Sequence, residues 1–185
     1  TFTFTETFYG NDYTYGNTAV TRTATVTDTA GNVATDSITL SINKIDNQPP
    51  SISLNADDTT IELRISEQTQ TIIYSVTATD NVGISSVSIP GFTQGGQIGD
   101  TYTFTETFNY SDFPYGSTAI TRTATVTDTA GNVATDFITL SINRINSPPV
   151  FTSTNVFSVI ENNNYIGALN ATDPEGGSVT YNIVE

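Results

Sequence analysis

The chain has 185 residues and a formal net charge of −14, from 19 acidic and 5 basic side chains, and it contains no Cys, His, Met or Trp. Without Cys or His there is no Ser–His or Cys–His nucleophile, no imidazole or thiolate zinc site and no disulfide, whereas oxygen donors suited to hard cations, calcium above all, are plentiful. So acidic a chain argues against nucleic acid and anionic membrane as partners, and no apolar run approaches the roughly 18 residues of a membrane span.

The chain opens in mid-pattern with TFTFTETF (1–8) and carries no signal segment, so it reads as a piece of a longer polypeptide whose targeting signals lie elsewhere. Residues 1–45 recur at 101–145 with 35 identical positions, and TATVTDTAGNVATD is repeated letter for letter at Thr23–Asp36 and Thr123–Asp136. A period of 100 residues is too long for a solenoid and suits one domain per repeat. Paired prolines in DNQPP (Asp46–Pro50) and NSPP (Asn146–Pro149) force extended backbone and mark the boundaries. The chain divides accordingly into the C-terminal half of one module (1–48), a complete module (49–147) and the N-terminal part of a third (148–185). These form beads on a string in an elongated array, each neighbour the partner of the next.

Period-2 patterning dominates the complete module. TYTFTETF (Thr101–Phe108) sets Tyr102, Phe104, Glu106 and Phe108 on one face against Thr on the other, and TAITRTATVT (Thr118–Thr127) sets Ile120, Arg122, Ala124 and Val126 against Thr. Threonine is β-branched and water-compatible, as the outer face of a half-buried strand requires. Strands are predicted near 51–54, 60–65, 71–79, 84–89, 101–108, 118–127 and 132–142, with Gly91–Asp100 replacing a regular fourth strand. The fold class is all-β, an Ig-like β-sandwich. Within the repeat, TATVT ends strand six, Asp-Thr-Ala-Gly-Asn is its hairpin turn and VATD begins strand seven. Glu106 and Arg122, like Glu6 and Arg22, fall on the apolar register. Either each sits at a sandwich rim with its head in water, or Glu106 and Arg122 form a cross-sheet ion pair.

Placed on the sandwich, the acids gather at the two ends of the complete module. The entry end collects Asp46 from the linker, Asp80 from TATDN and Asp128 from TDTAGN, with Asp12 approaching from the preceding module. The exit end collects Glu67, Asp112, the linker amides Asn143 and Asn146, and Asp173 and Glu175 of DPEG. Such clusters repel unless a cation with about six to eight oxygen ligands neutralises them, so a calcium ion at each joint is expected. The alternative is that these aspartates serve their turns alone. Asp36, Asp57, Asp58, Asp100 and Asp136 are expected as solvated surface charges, and Asp28 would repeat the role of Asp128 one joint earlier.

PPVF…VIENNNYIGALNATDPEGGSVTYNI (Pro148–Ile183) resembles the opening of a cadherin-like domain, through its proline-marked entry, the acid near the first strand's end (Glu161) and the acidic loop after Ala-Thr-Asp. The resemblance implies calcium ligation by Asp173 and Glu175, with Glu161 serving the following joint. Amides stand in the linker Asn143–Ser147 where that family has acids, which implies a weaker site there. PPSI, VTATDNVGISSVSI and TVTDTAGN…ITLSI resemble the Ig-like repeats of large bacterial surface adhesins, and imply extension and display at the cell surface, without catalysis.

The leading reading is thus a non-catalytic extender of an extracellular, cell-surface adhesin, involved in cell adhesion and stiffened by calcium. Other readings are a module that recognises a glycan or protein receptor through Tyr13, Tyr15, Tyr110 and Tyr115, or an accessory segment of a secreted enzyme or phage surface protein. No pair of acids stands apart from the turns as a glycosidase pair would. Asn109 and Asn170 fit the N-glycosylation pattern, which would be silent in a bacterial protein.

Overall fold

Alternating Thr and apolar residues cannot form an amphipathic helix, and the computed structural model, in which residues 1–183 are described, holds strands and three short 3-10 turns. The strands in chain order are β1 (Gly16–Thr27), β2 (Val33–Lys44), β3 (Ser51–Ala56), β4 (Thr60–Leu63), β5 (Thr69–Thr79), β6 (Ile84–Ser88), β7 (Gln94–Ile98), β8 (Thr101–Asn109), β9 (Gly116–Asp128), β10 (Val133–Arg144), β11 (Val150–Phe151) and β12 (Ala171–Thr172).

β3 to β10 build a sandwich of two four-stranded sheets, β3-β5-β8-β7 and β4-β10-β9-β6. β3 runs antiparallel to β5 and β4 runs parallel to β10, so the first strand region is shared between the sheets. One inner face presents Ile72, Tyr74 and Val76 of β5 with Phe104 and Phe108 of β8. It packs on Ala124 and Val126 of β9 and Leu140 and Ile142 of β10 from the other sheet, all buried. Each of the Val, Leu, Ile and Phe side chains among them contributes about 1.5–3 kcal/mol by leaving water. The outer faces carry hydroxyl pairs across the ladders, Thr71 with Thr107 at 3.0 Å and Thr121 with Thr139 at 3.2 Å. The all-β sandwich expected from the alternation is the fold observed.

Two expectations are corrected. Gly91–Asp100 does not replace the fourth strand: Gln94–Ile98 is β7, paired antiparallel with β8 through a bulge between Gln94 and Gly96, which makes eight strands. An edge strand has one ladder to satisfy, and glycine lets it approach closely, since a Cβ on Gly96 would lie 3.4 Å from Thr103 Oγ1. Asp136 and Asp57 are not merely solvated charges. Asp136 Oδ2 accepts the Leu54 N–H of β3 at 2.8 Å, and Asp57 Oδ1 accepts the Ile73 N–H at 3.0 Å. Both satisfy backbone donors that the ladders leave unpaired.

Glu106 and Arg122 resolve in favour of the cross-sheet pair. Arg122 donates to Glu106 through Nη2 at 2.5 Å and Nε at 3.0 Å, joining β9 to β8 between the sheets. Their side chains are only 28% and 14% exposed. The Tyr74 hydroxyl donates to Glu106 Oε2 at 2.6 Å, so the buried phenol has its partner. Burial first, and then this bond to a carboxylate, push the Tyr74 hydroxyl well above its ordinary pKa.

N-terminal to the sandwich, β1 and β2 form a hairpin in the same register as β9 and β10, Gly16 opposite Lys44 as Gly116 is opposite Arg144. β11 and β12 form a two-residue ladder, the regular strand structure described after β10.

Candidate metal centre

Three segments deliver carboxylates to the sandwich end that faces the hairpin. Asp128 ends β9 and opens the turn Asp128–Asn132. Its Oδ1 accepts the N–H groups of Ala130 and Asn132, both at 2.8 Å, and its Oδ2 accepts the Asn132 side-chain amide at 2.7 Å. Gly131 supplies the positive φ (+93°) that closes this turn onto β10. Asp80 follows β5, and its Oδ1 accepts the N–H groups of Val82 at 2.8 Å and Gly83 at 3.0 Å. The Thr129 N–H donates to the Gly83 carbonyl at 3.0 Å and ties the two loops together. Asp46 comes from the linker after β2, with Oδ1 accepting the Gln48 N–H and the Asn81 amide, each at 3.2 Å.

One carboxylate oxygen from each of Asp46, Asp80 and Asp128 lies within 4.8 Å of the other two. Asp128 is 1% and Asp46 9% exposed. Asp46 Oδ2 and Asp80 Oδ2 are buried and have no hydrogen-bond partner. Among the described residues no Lys or Arg side-chain nitrogen lies within 4.0 Å of a carboxylate oxygen of these three acids. For Asp128, burial opposes ionisation, but the Asn132 amide and the turn N–H groups outweigh it and hold the carboxyl below its ordinary pKa. The cluster is therefore a negative, oxygen-only pocket with two orphaned acceptors, a donor set that fits a hard divalent cation such as calcium. Asp46, Asp80 and Asp128 would hold it, with backbone carbonyls and water completing the shell.

The remaining candidates are dispersed. Asp12 is exposed on the 3-10 turn Gly10–Asp12 and outside the cluster. Glu67 is exposed on a second 3-10 turn. Asp112 accepts the Asn109 amide at 2.8 Å. Asn143 is half-buried on β10, and the Asn146 amide donates to the Ser147 carbonyl at 3.2 Å. Asp173 Oδ1 accepts the N–H groups of Glu175 and Gly177 at 3.0 Å. Glu175 Oε1 accepts the Ser147 N–H at 3.1 Å and the Tyr110 hydroxyl at 3.3 Å, leaving Oε2 buried without a partner. Glu161 is exposed in a turn. Among the described residues no second group of three acids comes together.

Asn81 and Asn132 were not singled out in the sequence. Asn81 touches Asp46 Oδ1, and Asn132 donates to the carbonyls of Asp46 and Gln48, both at 3.4 Å. The signal available was their place in DNVG and DTAGN, where a turn amide is free to reach beyond its own loop. Of the four tyrosines weighed as a recognition patch, Tyr15 lies under Lys44 Nζ at 4.3 Å, while Tyr110 and Tyr115 flank the Arg144 guanidinium at 4.1 and 4.2 Å. Tyr13 packs on Phe8.

No family model matches the chain. Hyalin of Strongylocentrotus purpuratus is 28% identical over 145 residues, which is 77% of this chain and 10% of hyalin, so the chain spans about a tenth of that relative. Solved structures similar to it include protocadherin gamma B2 extracellular cadherin domains 3–6, at 18% identity and a TM-score of 0.40 over 84% of this chain and 39% of that one. The protocadherin gammaB4 extracellular domain follows at 20% identity and 0.38, over 84% and 26%.

Proposed function

We propose that this chain is a non-catalytic structural segment of an extracellular adhesion protein, built of consecutive β-sandwich modules at 1–48, 49–147 and 148–185, in which calcium bound by Asp46, Asp80 and Asp128 stiffens the joint between the first two. The observation that carries this reading is the meeting of three carboxylates from three separate segments within 4.8 Å, two of them with buried, unpartnered oxygens. Ionised carboxylates so placed repel one another, and a bound cation would offset that repulsion. Because Asp46 belongs to the linker while Asp80 and Asp128 belong to the sandwich, an ion shared by them couples linker direction to sandwich orientation. The hyalin likeness and the absence of Cys and His agree with an adhesion-type role outside the cell and with no catalytic machinery.

Calorimetric titration of the full chain with calcium tests this. A dissociation constant of roughly 10⁻⁴–10⁻³ M is expected, and saturation at about 100 times that constant adds about 2.7 kcal/mol of stability. Asp80→Asn, which keeps the loop acceptor but removes the charge, should weaken binding at least about tenfold while far-UV circular dichroism stays that of the parent. Absence of both heat and thermal stabilisation at 10-mM-scale calcium, against sodium chloride of matched ionic strength, would end the proposal.

A further inference from the structure

Next to the carboxylate cluster lies a set of contacts that the metal reading does not use. Tyr15, just before β1, accepts a hydrogen bond on its hydroxyl from the Asn81 amide at 2.6 Å, across the joint between hairpin and sandwich. Lys44, the last residue of β2, sits over the Tyr15 ring at 4.3 Å and donates to the Tyr13 carbonyl at 3.2 Å. The same parts recur 100 residues on. Arg144 ends β10, lies between the rings of Tyr115 and Tyr110 and donates to the Phe113 carbonyl at 2.7 Å. There the Tyr110 hydroxyl donates to Glu175 Oε1 at 3.3 Å, and Tyr115 backs it at 3.4 Å between hydroxyls.

We propose that a tyrosine–cation bracket at the end of each unit clasps the Asp-x-x-Gly loop of the unit that follows, and holds the joint in orientation without the ion. The partner is Asp80–Gly83 in one case and Asp173–Gly176 in the other, met through Asn81 and Glu175. The cation is chosen by position: it terminates the last strand, and its stem and charge cover the ring face, which fixes where the hydroxyl points. The second bracket uses two tyrosines because Tyr110 stands where the first repeat has Gly10. No oxygen left free for a metal takes part at the first joint, since Asn81 engages Asp46 through Oδ1 and the orphaned atom is Oδ2.

The absence of cysteine allows a direct test on the full chain, with spin labels at Thr25→Cys on β1 and Thr105→Cys on β8, both exposed. Interspin distances are read in EGTA and in saturating calcium. In EGTA the parent is expected to show one dominant distance. Tyr15→Phe, which keeps the ring and removes the acceptor, should lower the ratio of closed to open joint about fivefold, the worth of one neutral hydrogen bond. Lys44→Gln should shift it in the same direction, and both variants should bind calcium within about threefold of the parent, since neither touches a carboxylate. The bracket is refuted if Tyr15→Phe leaves the EGTA distribution unchanged, or if the parent has no preferred distance in EGTA. If calcium does not bind at all, the metal reading fails while the EGTA comparison still decides the bracket.

Discussion

At the scale of single residues, the chain places its charges where neighbours complete them. Glu106 occupies an inward position between Phe104 and Phe108, and it is kept there by Arg122 on one side and the Tyr74 hydroxyl on the other. Glu6 and Arg22 make the same fork at 2.6 Å in the N-terminal repeat, but with 43% and 49% of their side chains exposed. Identical chemistry thus meets different solvent. Glu106→Ala strands a partly buried guanidinium and a buried phenol, and should cost roughly 3 kcal/mol in urea unfolding, whereas Glu6→Ala should leave the sandwich's transition unmoved. Equal shifts from the two variants would contradict this. The inward register of Glu106 and Arg122 was legible from alternation. The choice between a rim and a cross-sheet pair was not, because it depends on which strands of opposite sheets face each other.

At the scale of elements, the duplicated stretch shows how much a local sequence builds unaided. Asp28 organises its turn as Asp128 does, with Oδ1 accepting the N–H groups of Ala30 at 2.9 Å and Asn32 at 2.8 Å, and the Asn32 amide 2.8 Å from Oδ2. The side-chain bond from Asn32 leads in holding the Asp28 carboxyl below its ordinary pKa. The strands flanking the two turns differ in what covers them. Val126 is fully buried while its twin Val26 is 67% exposed, because the sheet β3-β5-β8-β7 lies over the one and no described element lies over the other in the same way. Val126→Ala should therefore destabilise the sandwich by about 2 kcal/mol, and Val26→Ala by less than about 0.5 kcal/mol, as read from chemical denaturation midpoints. β7 teaches the converse lesson. QGGQI has poor strand propensity, and it is a strand because β8 offers an open edge at which two glycines fit.

At the scale of the whole molecule, a charge of −14 with only 5 cations makes folding sensitive to salt. Screening shortens the reach of repulsion to about 10 Å at 0.1 M, so melting temperature should climb by roughly 2–5 °C between 10-mM-scale and 0.3-M-scale sodium chloride. Asp80→Asn relieves repulsion among three crowded acids and should climb less. A melting temperature independent of salt in both proteins would contradict the role given to this charge. Composition and alternation were enough to read an all-β chain, because strand patterning and turn chemistry are local properties of neighbouring residues. They were also enough to nominate Asp46, Asp80 and Asp128, since each sits in a linker or a turn at a foreseeable end of the sandwich. That these three converge while Asp12 stays outside, that two of their oxygens are orphaned, and that Tyr15 and Tyr110 reach across the joints were decided only in three dimensions. Those facts depend on distances between segments far apart in sequence, which are set by how the two sheets pack and where the linker leaves the last strand.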